Sequence, residues 1–188
     1  MMPGPPDWTF GNMNDEKPAK AGQQGATQGV GTAMPHGNLT ACRLTSLPAP
    51  LLAEMEFLGR ESLGRSAPNR WMLPVIASWG LFYVAKVDSE VIGSAQIIRC
   101  LERGDLYMDA FYIRPFYRRA GYGKAFLVEL TKQLGKLGFK RLLATMDPGK
   151  RAAVRLYAGA GFDVIDNLPD YYGQGRHRFL IAASLVVI

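Results

Sequence analysis

Cysteine is nearly absent from these 188 residues: only Cys42 and Cys100 occur, far apart, with no CxxC spacing and no histidine cluster beside them. That argues against a disulfide framework and against a zinc site of common spacing, so no metal is expected and a reducing cytoplasm is the expected compartment. Long hydrophobic runs are missing as well. No segment supplies the roughly 20 uninterrupted apolar residues of a membrane-spanning helix, and the opening MMPGPPDWTFGN lacks the basic start and apolar stretch of a secretory signal. The chain therefore reads as soluble, with no membrane partner. Its apolar close, Leu180 to Ile188, is too short to span, and its β-branched residues suit a buried terminal strand.

Aliphatic residues are scarce from Met1 to about Asn38, where Gly, Pro, Gln, Ala and Thr dominate. Such a stretch cannot offset the entropy of ordering it, so residues 1–38 are expected to be a flexible tail in which Trp8 and Phe10 are isolated aromatics and Met34 is an alternative start. What remains, 39–188, suits one globular domain: 48% of the whole chain is hydrophobic and 20% charged. The net charge of +6 suits an anionic partner, whether nucleic acid, a membrane surface or a phosphorylated cofactor, without choosing among them.

Periodicity then orders the domain. Thr40 to Leu44 reads as a short strand, and Leu51, Leu52, Met55 and Leu58 lie at helical spacing between Pro50 and Leu63. Trp71 to Ile76, bracketed and interrupted by Pro68 and Pro74, suits either a short second helix or a loop. Leu81–Val87 and Val91–Ile98 form an expected hairpin across Asp88-Ser-Glu90, and Leu106–Ile113 is a third consecutive strand. Lys124 to Leu137 carries Phe126, Leu127, Leu130, Leu134 and Leu137 on one face, with Gly138 to end the helix. A strand from Arg141 to Met146, a helix from Lys150 to Ala158, and strands at Phe162–Ile165 and Phe179–Val187 complete an α/β domain, one mixed sheet with helices on its faces.

The strand ending at Ile113 runs through Arg114-Pro-Phe-Tyr into Arg118-Arg-Ala-Gly-Tyr-Gly-Lys124 and straight into a helix. Gly121 and Gly123 let the backbone turn and approach a ligand, so unpaired N–H groups at the helix start can face phosphate oxygens. Arg114, Arg118, Arg119 and Lys124 add positive charge with no acid between them. A P-loop is excluded, because it needs glycine where Arg118 stands and Ser or Thr where Ala125 stands; the dinucleotide fingerprint would need glycine at Phe126.

This turn resembles the acetyl-CoA signature of the GNAT superfamily of N-acetyltransferases, Q/R-x-x-G-x-G/A, with Arg118, Gly121 and Gly123 at its defined positions. Phe111-Tyr-Ile-Arg-Pro115 resembles the family's fourth strand and its junction, and Ala152 to Phe162 resembles its A-x-x-L-Y-x-x-x-G-F segment. The resemblance covers Leu39 to the C-terminus, most strongly Tyr107 to Phe162. It implies a mostly antiparallel mixed sheet with a splay between strands four and five, and transfer of acetyl from acetyl-CoA to a primary amine by direct attack in a ternary complex. The site implied for acetyl-CoA comprises Phe111, Tyr112 and Ile113 on the strand, Arg118, Arg119, Ala120, Gly121, Tyr122, Gly123 and Lys124 in the turn, and Lys150. Preorganised backbone donors of this kind contribute roughly 3 to 4 kcal/mol to transition-state stabilisation.

By the same resemblance Tyr157 is the general acid for the leaving thiolate. The base is less defined. Ribosomal-protein N-terminal acetyltransferases carry a Glu where this chain has Thr145 and an Asn where it has Lys150. Asp109 is the available carboxylate if period two places it on one face with Tyr107 and Phe111; an ordered water relayed by Tyr107 or by carbonyls is the alternative. Asp170-Tyr-Tyr-Gly-Gln-Gly-Arg-His-Arg178 resembles the Tyr-Tyr hairpin that closes over peptide substrates, which makes Tyr171 and Tyr172 the expected acceptor contacts, with His177 a surface residue. A peptide or protein N-terminus is the first acceptor class; a small amine, or a CoA-binding module without catalysis, is the alternative. Nucleic-acid binding is disfavoured because the clearest basic cluster is assigned to the cofactor's phosphates.

Overall fold

The computed structural model describes residues 38–100 and 104–185. The expected tail, with Trp8, Phe10 and Met34, lies outside the described residues, as do the last three. The elements are β1 (Leu39–Leu44), α1 (Ala49–Leu63), α2 (Met72–Trp79), β2 (Leu81–Val87), β3 (Glu90–Arg99), β4 (Leu106–Ile113), α3 (Tyr122–Lys136), β5 (Arg141–Met146), α4 (Arg151–Gly159), β6 (Phe162–Leu168) and β7 (Arg178–Ser184). The segment left open between helix and loop is the helix α2. Pro74 is its third residue, where a backbone N–H has no intrahelical partner to lose. No helix among the described residues is long and apolar enough to cross a membrane.

The strands form one sheet in the order β1-β2-β3-β4-β5-β7-β6. Every neighbouring pair is antiparallel except β4 and β5, whose parallel pairing runs only from Leu106↔Leu142 to Met108↔Ala144. Beyond those residues the two strands splay. The parallel pair follows from the chain path, since β4 reaches β5 through the crossover helix α3.

Two cores cover the two faces of the sheet. On one face Phe126, Leu127, Leu130 and Leu134 of α3 are fully buried against Leu106, Met108, Leu142, Ala144 and Ile181. Each such side chain contributes about 1.5–3 kcal/mol, so the helix, and with it the turn at its start, is firmly seated. On the other face α1 and α2 cover Phe82, Val84, Val91 and Tyr112 with Met55, Leu58, Leu73 and Ile76.

The expected single face for Tyr107, Asp109 and Phe111 is corrected by the register. Gln96 pairs with Ala110 and Ile97 with Met108, so Asp109 is the extra residue of a β-bulge. Leu106 and Met108 point to the α3 face before it, Phe111 and Ile113 point there after it, and Tyr112 points to the α1 face. Tyr107 and Phe111 therefore lie on opposite faces. A bulge reverses the side-chain parity that strict alternation would keep.

Candidate active site

The turn before α3 is built by two left-handed residues, Arg119 (φ 65°) and Gly121 (φ 85°). Alternating them with right-handed or extended neighbours gathers successive N–H groups into a concave anion site. The first helical bond closed over this turn is from Ala125 N–H to the Gly121 carbonyl. The N–H groups of Arg119, Ala120, Gly121, Gly123 and Lys124 meet no acceptor among the described residues. Gly121 is required by its backbone angle. At Gly123 a Cβ would sit 3.2 Å from Leu156 Cδ1 of α4, so any side chain there makes Leu156 give by a few tenths of an ångström.

The four cations of this region separate into two groups. Arg114 bonds Glu90 (2.6 Å) and Glu61 (3.3 Å), and Arg118 donates from Nε to the Ile113 carbonyl (2.8 Å) and from Nη2 to the Ser62 carbonyl (2.8 Å). Both guanidinium groups brace the turn against α1 and β3 rather than project from it. Arg119 and Lys124 are exposed, and Tyr122 is buried in the core beside α3. The anion site is thus mainly backbone, with two flanking charges. Lys150 stands exposed just before α4.

Strand β4 leads from this turn to the splay. The Arg114 N–H bonds the Ile92 carbonyl of β3 (2.8 Å), so by alternation the N–H and C=O groups of Ile113 and Phe111 turn to the opposite edge, toward β5. The pairing with β5 has already ended there, which leaves those groups facing the gap. The Tyr112 side chain points instead beneath α1, 4.0 Å from the position a Gly59 Cβ would take, and by the same alternation its backbone groups face β3, so the expected cofactor contact at Tyr112 is not formed by either.

Tyr157 reaches the gap from the α3 side. Its ring meets Phe111 (centroids 6.2 Å apart) and Phe162 (5.3 Å), and its hydroxyl has no hydrogen-bond partner among the described residues. Burial holds its proton above the ordinary phenol range. On the opposite side of the sheet three hydroxyls form a chain: Tyr107 to Thr145 Oγ1 at 2.9 Å, and Thr145 Oγ1 to Tyr172 at 3.2 Å. Burial also raises Tyr107. Asp109, at the bulge between these two sides, has its carboxyl pushed up by desolvation although it remains solvent-accessible.

The hairpin loop carrying Tyr172 is braced by Asp170, which accepts from the Gly175 N–H (2.6 Å) and donates its own N–H to His177 Nδ1 (3.2 Å). Tyr171 and Tyr172 pack edge to face at 4.8 Å, each half exposed. His177 is thereby part of the hairpin's frame, and Cys42 and Cys100 form no disulfide.

The structure thus sets Tyr157 against Phe111 on the strand that leads to the turn, and links Tyr107, Thr145 and Tyr172 on the other face; Asp109 lies on β4 at the bulge, with no contact to either group among the described residues. Thr145 reads in sequence as a lost carboxylate; its role as the link between Tyr107 and Tyr172 depends on the parallel register of β4 and β5. Among the described residues no group of His, Cys, Asp and Glu is arranged to hold a metal ion.

Similar architecture occurs in solved structures. The ribosomal-protein-S18-alanine N-acetyltransferase of Escherichia coli is 18% identical, covering 80% of this chain and 96% of that one with a TM-score of 0.66. Ard1 from Thermoplasma volcanium gives 18%, 80%, 99% and 0.66, and an aminoglycoside 6'-acetyltransferase type Ii gives 14%, 79%, 99% and 0.66. At these identities the likeness establishes the fold. No curated protein matches. The sequence model of the Acetyltransferase (GNAT) family matches residues 52–162, a span that holds the turn, the splayed strands and Tyr157, and the chain belongs to that family.

Proposed function

We propose that the domain from Leu39 onward acetylates the α-amino group of a peptide or protein N-terminus, with acetyl-CoA as donor and the amine attacking directly in a ternary complex. The observation that carries this reading is the two-sided gap. A backbone anion site and Tyr157 lie on the α3 side, and a hydroxyl chain with two exposed tyrosines lies on the other.

The residues fit acetyl-CoA: unspent N–H groups in the turn suit its phosphates, and unspent β4 groups at Phe111 and Ile113 suit an amide-bearing arm. When bound it supplies an activated acetyl thioester. Arg119, Lys124 and Lys150 supply countercharge. Tyr157 serves as the acid. Because its pKa is raised, its first contribution is a donated hydrogen bond that stabilises charge on sulfur, and proton transfer follows only as that charge builds.

On the acceptor side neither Tyr107 nor Tyr172 is a base at neutral pH. Asp109 accepts the amine's proton, and its raised pKa makes it a better base than an ordinary carboxylate. The chain Tyr107–Thr145–Tyr172 orients the amine or a water beside it. This modest equipment favours an acceptor that arrives largely neutral. An α-amine with a pKa near 8 is about one-tenth neutral at pH 7, whereas a lysine amine near 10.4 is neutral in fewer than about one molecule in a thousand. Absence of a carboxylate at Thr145 is the observation that suits a second reading, a CoA-binding module without turnover.

Titration calorimetry with acetyl-CoA, followed by thiol release against α-amine peptides, N-blocked lysine peptides, spermidine and an aminoglycoside, tests this. Binding with release on α-amine peptides is expected. Release on spermidine or the aminoglycoside alone assigns a small-molecule acceptor, and binding without release assigns the silent module.

A further inference from the structure

A second cleft, of about 420 Å³, opens between the β5–α4 connection and the β6–β7 hairpin, lined by Asp147, Pro148, Gly149, Gly175, Arg176, His177 and Arg178. It adjoins the acceptor side of the gap. The Arg178 guanidinium lies 5.0 Å over the Tyr172 ring, whose hydroxyl bonds Thr145. Only Met146, the last residue of β5, separates Thr145 from Asp147.

The electrostatics of the cleft favour an anion. Arg176 and Arg178 line it, and Lys150 and Arg151 follow directly at the start of α4, against Asp147 as the one lining carboxylate. Asp147 offsets part of this charge: its Oδ2 forms an ion pair with Arg178 Nη1 at 4.0 Å, too long for a hydrogen bond, while its Oδ1 accepts the Gly149 N–H at 2.9 Å. Of the Arg178 donors only Nη1 is engaged, with the His177 carbonyl at 2.7 Å, which leaves part of the planar fork unspent. Asp170, the other acid nearby, is turned into the hairpin by its bond from Gly175. His177 Nδ1 accepts the Asp170 N–H.

We propose that this cleft is a carboxylate subsite: the preferred acceptor carries a carboxylate close to its amine, held by Arg178 and Arg176 while the amine rests near Tyr172. The stacked arginine is suited to this task, because the ring fixes the guanidinium plane and leaves its edge to bind a carboxylate. The inference rests on the acetyl-transfer reading and narrows its substrate class. It sets this acceptor apart from polyamines and aminoglycosides, whose cations the cleft repels.

The carboxylate could be an acidic first side chain of a peptide or the α-carboxylate of a free amino acid. The test therefore has two arms: a tetrapeptide amide beginning with aspartate against its asparagine counterpart, and free alanine against alaninamide. In each arm kcat/KM is measured in the wild type and in the Arg176→Gln/Arg178→Gln double variant. At least one arm is expected to favour the acid by about tenfold, with the ratio falling to about one in the variant while acetyl-CoA affinity is unchanged. The same four acetylated products are titrated by calorimetry against the CoA-saturated protein, so that the subsite is read even if turnover fails. Absence of acid preference in both turnover and product binding overturns the subsite, as does a preference that survives in the variant. Acid-selective product binding without any turnover keeps the subsite and sinks the acetyl-transfer reading instead.

Discussion

The two faces of the sheet offer different means of holding a ligand. On the α3 face the anion site is made of backbone: N–H groups set by Arg119 and Gly121, on a helix held by fully buried Phe126, Leu127, Leu130 and Leu134. On the opposite face the proposed acceptor side is made of side chains, Tyr107, Thr145, Tyr172 and Arg178, on three strands and a hairpin loop. The difference extends to the cores. The α3 core takes its polar atoms from tyrosines such as Tyr83 and Tyr157, whereas the α1 side also buries Ser62 Oγ, Gln96 Oε1, and Ser94 Oγ beside the Tyr112 hydroxyl. A backbone site tolerates change in side chains but not in conformation or charge; a side-chain site is open to retuning one residue at a time.

The sharpest way to break the comparison is at Gly121. Gly121→Asp places a carboxylate in the anion site, where repulsion of roughly 4 kcal/mol at about 4 Å predicts acetyl-CoA binding weaker by more than about a hundredfold in calorimetry. Gly121→Asn, which tolerates the same left-handed backbone without the charge, should lose far less. Equal losses would mean that conformation rather than charge governs the turn.

Next in size is Tyr157→Phe, which keeps the contacts with Phe111 and Phe162 and removes the proton. A loss of about a hundredfold in kcat with unchanged acetyl-CoA affinity is expected. Full turnover would remove Tyr157 from the chemistry. On the other face Thr145→Val keeps the shape and cuts the hydroxyl chain in the middle. Loss of a hydrogen bond worth about 1.5 kcal/mol predicts a roughly tenfold lower kcat/KM for the acceptor, again with acetyl-CoA affinity intact. If Thr145→Val weakens acetyl-CoA instead, the two faces are not functionally separate.

The smallest effect is expected at Asp109. Its folded pKa lies above the unfolded value, so the folded state binds the proton more tightly; its contribution is most favourable at acid pH and is lost as pH rises through the folded pKa. Asp109→Asn should therefore raise the thermal midpoint slightly at pH 7 to 8, with the gain disappearing below the ordinary aspartate pKa. The same variant should flatten the acidic limb of the kcat/KM profile, and an unchanged limb would transfer the base role to water.

Much of the fold was legible because its signals are local. The alternation of Leu81–Val87, the helical spacing of Phe126, Leu127, Leu130 and Leu134, and the glycines ending helices all report conformations set within a few residues. The turn was legible for the same reason, since Gly121 must satisfy its own backbone angle. The pairing of Asp109 was not, because a bulge is a property of two strands in register and leaves no mark in the period of one. Nor was the division of the basic cluster, in which Arg114 and Arg118 are spent on Glu61, Glu90 and the Ser62 carbonyl, all distant in sequence, with the nearby Ile113 carbonyl as a further acceptor.

The sequence by itself thus determined the α/β element order, the anion-binding turn and the family motifs, all of which arise from short-range sterics and burial patterns. Tertiary structure alone decided which hydroxyls meet across β4, β5 and the hairpin, which arginines remain available, and that Tyr107 and Phe111 face opposite sides. Those depend on strand register and on partners distant in the chain, 38 residues apart for Tyr107 and Thr145 and 27 for Thr145 and Tyr172, and chain-local chemistry does not encode which of many possible contacts closes.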